Sequence, residues 1–234
     1  MMSTPSRYRF ILSICLLVLV HSGIHTDVVA TTFVVRNTAP GSNGGKRFAH
    51  SIGTARSTYV MSSATSFIQR TFRQTNSHDQ RKHVHEVTLF IEAADGVAYT
   101  AGDEIHVSAR YIGTYKGDVA QEIRGVIYHE MTHVWQWDGK GRTPGGLIEG
   151  IADFVRLKAG YAPSHWARPG EGDKWDQGYD VTARFLDYCE GLRSGFVAEL
   201  NKKMRFDYRE SFFEDLLGKS VHQLWGAYKH KYGQ

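Results

Sequence analysis

Hydrophobic positions along this chain follow two regimes. In Thr31–Asn37, "TTFVVRN", apolar and polar residues alternate and β-branched residues dominate, which predicts a strand. Val84–Glu92, "VHEVTLFIE", repeats that signature, and a turn at Gly102-Asp103 leads into a second alternating strand over Glu104–Tyr111. Between the first two strands, residues 39–46 ("APGSNGGK") read as a loop. From about His50 to Gln74, apolar residues at Tyr59, Met61, Ala64, Phe67, Ile68 and Phe72 predict one long helix. After Gly117 the period is helical throughout: Gln121–Trp137, Leu147–Lys158, Tyr179–Leu192, Phe196–Met204 and Ser220–Tyr232. The pattern predicts an α+β fold with a mixed front half and a mainly helical C-terminal half, changing near residue 140. No repeat or low-complexity linker divides it, so a single domain with two lobes around a cleft is expected.

The first residues follow neither regime. Arg7 and Arg9 precede the apolar run Ile11–Val20, "ILSICLLVLV", and small or polar residues follow. That is the layout of a cleavable secretory signal, ending near Ala30 or Ser22. Ten apolar residues are too few for a bilayer core that needs roughly 20. The expected organisation is therefore a signal peptide over 1–30 and one domain over 31–234, outside the cytosol and without a membrane anchor. Removing residues 1–30 takes Arg7, Arg9 and Asp27 from 28 basic and 24 acidic residues, leaving 26 and 23. This mild positive charge is spread along the chain; it is compatible with acidic cell-wall polymers and too diffuse for nucleic-acid binding. Only Cys189 remains, at helical spacing from Phe185 and Leu192, and it reads as a buried apolar side chain.

The chemistry concentrates in "YHEMTHVWQWDGKGRTPGGLIEGIADFVR", Tyr128–Arg156. His129 and His133, four apart, share one helix face and can ligate one ion; the spacing is that of zinc sites. Glu130 between them can take a proton from a water held by that ion, the role of a general base. Ile123, Val126, Ile127 and Val134 place the motif on an amphipathic helix. A catalytic zinc needs a third protein ligand and an open position. The long metzincin pattern is excluded, because its glycine and third histidine are Gln136 and Gly139 here. Glu149 and Asp153, four apart on the next helix, supply the alternative. Glu149 as ligand, with Asp153 hydrogen-bonded to a ligand histidine, is the gluzincin arrangement and the favoured one; the reverse, with Asp153 as ligand, is aspzincin-like. Tyr179 or His165 is a candidate donor to the oxyanion. "EIHVSARY" is a candidate sheet edge for an extended substrate. Trp135, Trp137, Trp166 and Trp175 flank the motif as packing or pocket-lining residues, and His106, His222 and His230 stand isolated.

These segments resemble the plant basic secretory proteins, a family of peptidases of plants and bacteria. The likeness is carried by "YHEMTHVWQWDGKGRTPGGLIEGIADFVRLKAGYAPSHW" and by "GVAYTAGDEIHVSARYI" and "GDVAQEIRGVIYHE" before it. After it come "WDQGYDVTARFLDYCEGLRSGFVAELNKKM" and "LLGKSVHQLWGAYKHKYG". The resemblance covers essentially all of residues 31–234. It implies a zincin-like metallopeptidase fold with an active-site helix beside a small mixed sheet, secretion to the apoplast, and a role in defence or stress. The expected activity is zinc-dependent hydrolysis of extracellular proteins or peptides. The competing expectation is a secreted defence protein that binds its target and keeps the zinc site as a structural relic.

Overall fold

A computed structural model describes residues 31–75 and 81–233; the proposed signal peptide lies outside the described residues. The strands are β1 (Thr32–Asn37), β2 (Glu86–Glu92), β3 (Ala98–Ala101) and β4 (Glu104–Ser108). They form one sheet in the order β1-β2-β4-β3, with β1, β2 and β4 parallel and β3 antiparallel to β4. Alternation sets its two faces. Val87, Leu89, Ile91, Ile105 and Val107 are fully buried on the inner face. On the outer face the rings of Phe90, His106 and Tyr99 stack, with centroids 5.0 and 4.5 Å apart. His106 thus belongs to a sheet-surface stack rather than standing alone.

The helices are α1 (Asn43–Ser51), α2 (Thr54–Thr71), α3 (Ala109–Thr114), α4 (Val119–Trp135), α5 (Gly145–Lys158), α6 (Tyr179–Leu192), α7 (Phe196–Met204), α8 (Phe212–Leu217) and α9 (Val221–Lys231). About half of the chain is helical, and every element after β4 is a helix. Helix α4 runs through the middle, packed against α2, β3 and α5. Helices α5 to α9 stack beyond it around Phe185, Phe196, Phe213 and Tyr228, in one hydrophobic cluster continuous with the sheet. None of the described helices is long and apolar enough to cross a membrane.

Four local expectations are corrected. The segment 39–46 is not all loop: α1 starts at Asn43, with Ser42 Oγ accepting from Gly45 N at 2.9 Å. Its glycines are kept for contact, since a Cβ on Gly44 would sit 1.6 Å from the Ala109 carbonyl oxygen. The single helix expected over 50–74 is two, because Gly53 turns the chain at φ +78°. The strand expected to reach Tyr111 stops at Ser108, whose hydroxyl caps α3 by accepting from Tyr111 N. Finally, β4 is not the sheet edge. That position belongs to β3, a strand of only four residues.

Candidate metal centre

Helix α4 starts at Asp118, whose carboxylate accepts from the backbone N–H groups of Ala120 and Gln121 at 3.0 Å. From this cap the helical period brings Glu122, His129 and His133 onto the face that meets α5. The antiparallel α5 presents Arg156, Asp153 and Glu149 in return. Three polar contacts run down the seam: Glu122 with Arg156 at 3.0 Å, His129 with Asp153 at 2.6 Å, and His133 with Glu149 at 3.5 Å. Gly125 makes room for the guanidinium, as a Cβ there would lie 2.7 Å from Arg156 Nε.

At the end of this seam nearest the α4–α5 connection, His129 Nε2, His133 Nε2 and Glu149 Oε2 form a triangle with sides of 3.1, 3.1 and 3.5 Å. These three residues form a group that could hold a metal ion. A tetrahedral zinc with bonds of about 2.0–2.1 Å separates its ligands by about 3.3 Å, so the triangle has the right size. Asp153 lies behind it, with Oδ1 2.6 Å from His129 Nδ1. A carboxylate in that position holds the ring with Nε2 free to ligate.

His133 offers a second test of fit. Gln136 Nε2 lies 2.7 Å from His133 Nδ1 and 3.3 Å from the Ile148 carbonyl oxygen. The buried Gln136 Oε1 has no partner among the described residues. A histidine that ligates through Nε2 carries its proton on Nδ1. Turning the near-symmetric amide over then gives that proton an acceptor and the orphaned oxygen a partner, and gives up the Nε2 contact with the Ile148 carbonyl oxygen. The donor set therefore suits a zinc ion.

Charge is balanced here by protons. Burial works to lower the pKa of His129, but hydrogen bonds to Asp153 and Glu149 outweigh it and hold the pKa up to about 10. Burial likewise works to raise Glu149, and the two histidines reverse this, bringing it to about 2. The His129 ring thus sits as an imidazolium between two carboxylates.

Glu130 is buried, 5 % exposed, and its Oε2 accepts a 2.6 Å hydrogen bond from Thr100 Oγ1 on β3. Tyr179, at the start of α6, is 57 % exposed with φ +46°, and its ring is stacked 6.1 Å from that of His129. His129, His133, Glu149, Asp153, Glu130, Tyr179 and His165 all line one cleft of about 1130 Å³. Trp166 lines it too, under the Arg156 guanidinium, whereas Trp135 and Trp175 are buried packing residues. Sequence reasoning had missed Thr100, Gln136 and the Glu122–Arg156 pair. Gln136 follows His133 by three residues, so helical spacing alone could have found it; Thr100 comes from across the sheet and could not be found that way.

A family model described as "Peptidase of plants and bacteria" matches residues 28–228. A protein named "Basic secretory protease" from Boswellia serrata is 48% identical over 60 residues, covering 26% of this chain and 69% of that protein. No solved structure matches.

Proposed function

Since the chain belongs to the peptidases of plants and bacteria, we propose that it is a secreted, zinc-dependent peptidase with a zincin-like fold, acting on extracellular proteins or peptides. The observation that carries this reading is the triangle of His129 Nε2, His133 Nε2 and Glu149 Oε2 beside a buried Glu130. Zinc bound there would polarise the scissile carbonyl and acidify the attacking water. Glu130 takes the proton of that water and passes it to the leaving nitrogen. Asp153 keeps the His129 ring in its ligating orientation. Tyr179 is the favoured donor to the developing oxyanion, with His165 the alternative on the same cleft. The charge of Glu149, and then burial, raises the phenol pKa of Tyr179, so the hydroxyl keeps the proton it must donate. The free edge of β3, rather than β4, would pair with an extended substrate.

Secretion is supported by the leader-like residues 1–30 and by the printed name of the Boswellia protein. Removal of the leader would leave residues 31–234 as a single catalytic domain. The apoplast, and a part in defence or stress, are the setting the family resemblance implies.

The test is zinc content and casein hydrolysis for the parent protein and Glu130→Gln. Both should carry one zinc per chain. Only the parent should hydrolyse casein, and a chelator should stop it; the variant should lose at least about 100-fold. Equal hydrolysis by both would remove Glu130 from the mechanism, and absence of zinc from both would remove the metal.

A further inference from the structure

A general base works only if its lone pair is aimed, and a glutamate side chain has three rotatable bonds with which to miss. Packing restricts Glu130, and one of its oxygens is also fixed directly. Thr100 Oγ1 lies 2.6 Å from Glu130 Oε2 and 3.2 Å from the Glu130 main-chain oxygen. The hydroxyl comes from the wall of the cleft opposite α5. Strand alternation turns Ala98 and Thr100 towards α4, while Tyr99 and Ala101 face away and are exposed. Strand β3 is anchored without this bond, through its ladder with β4 from Ala98↔Val107 to Ala101↔Glu104. The Thr100 hydroxyl is therefore not needed to hold the strand in place.

We infer that Thr100 is a positioning residue for the general base. Its hydroxyl pins Oε2 and leaves Oε1 as the oxygen that meets the attacking water. This rests on the reading of Glu130 as the base. The single hydroxyl hydrogen has two acceptors within reach, so it can turn to the main-chain oxygen when the carboxyl group has taken up its proton. Valine at this position has nearly the same shape and suits a strand, but it gives Glu130 nothing to lean on.

The experiment is steady-state peptide hydrolysis by the zinc-loaded parent, Thr100→Val, Thr100→Ser and Glu130→Gln, with zinc content and melting temperature measured for each. Thr100→Val should lower kcat roughly 10–100-fold, the loss expected for one hydrogen bond to a charged group. Its KM should stay within about twofold and its zinc content should be unchanged. Thr100→Ser should restore kcat to within about threefold of the parent, because the hydroxyl returns. If valine prevents folding, Thr100→Cys replaces it, with a poor donor of similar volume and the same expected loss.

A Thr100→Val enzyme at parental kcat overturns the inference while leaving the base reading intact. A loss equally large in Thr100→Ser, tracking a lowered melting temperature, also overturns it by showing that packing was what mattered. A parent that hydrolyses no better than Glu130→Gln overturns the base reading and this inference with it.

Discussion

His129 holds a proton where the proposed metal would sit, and this makes the site sensitive to pH. Its pKa of about 10 in the folded, metal-free protein exceeds its ordinary 6.5. The stabilisation it contributes is therefore complete below about 6.5 and lost as pH rises towards about 10. For Glu149, lowered from 4.5 to about 2, the contribution is complete above about 4.5 and lost on acidification towards 2. Zinc must displace the His129 proton, so its apparent affinity rises with pH over the interval in which the metal-free protein weakens. Melting curves from pH 6 to 9 should show the gap between zinc-loaded and zinc-free protein widening with pH. A gap that narrows would mean that His129 is not protonated in the free site.

Gln136 admits a sharper test at the same scale. Gln136→Met keeps the bulk but cannot accept from His133 Nδ1, and zinc affinity measured by chelator competition should fall roughly 10-fold or more. An unchanged affinity would mean that the His133 ring needs no partner. The HExxH segment and the Glu149/Asp153 pair were legible because helical spacing alone puts them on one face. Which atoms meet across the seam was not legible, because it depends on the relative rotation of α4 and α5.

At the scale of elements, the approach of α5 to α6 depends on a glycine. A Cβ on Gly150 would lie 2.2 Å from Thr182 Cγ2. Thr182 cannot turn away: it is fully buried, its hydroxyl donates to the Trp175 carbonyl at 2.8 Å, and it accepts from Gly178 N at 2.9 Å. Gly150→Ala gains about 1 kcal/mol in helix propensity. Overpacking of about 1–3 kcal/mol works against it. Because Thr182 is buried and held by two hydrogen bonds, overpacking should win and the melting temperature should fall; a rise would show that the helices can part without penalty. Zinc affinity should fall as well, since Glu149 is the adjacent residue.

The elements themselves were largely readable from periodicity. The boundaries of α6 and α7 match the expectation, those of α4 and α9 differ from it by one or two residues at each end, and α5 starts two residues early and ends where expected. The misses have local causes. At Gly44 a tertiary contact preserves a helix through a glycine pair. At Gly53 a left-handed turn cuts a helical pattern in two. At Ser108 a capping hydroxyl converts the tail of an alternating run into α3. The edge position of β3 was hidden because strand order is a long-range property, and a four-residue strand gives little periodicity.

For the molecule as a whole, one continuous hydrophobic cluster joins the sheet to the C-terminal helices, and among the described residues no disulfide assists it. Cys189, the one cysteine among the described residues, is fully buried on α6, and burial raises its thiol pKa far above the ordinary value. A thiol that is both enclosed and protonated is slow to react with alkylating reagents or with a second molecule. With the proposed leader removed, it would also be the one thiol left in the sequence. Folding then requires no oxidising compartment and no disulfide isomerase, and a bacterial cytosol is as suitable as a secretory pathway for making the domain. The same seclusion turns Cys189 into a built-in clock, since each alkylation event records a moment at which the helical half came open.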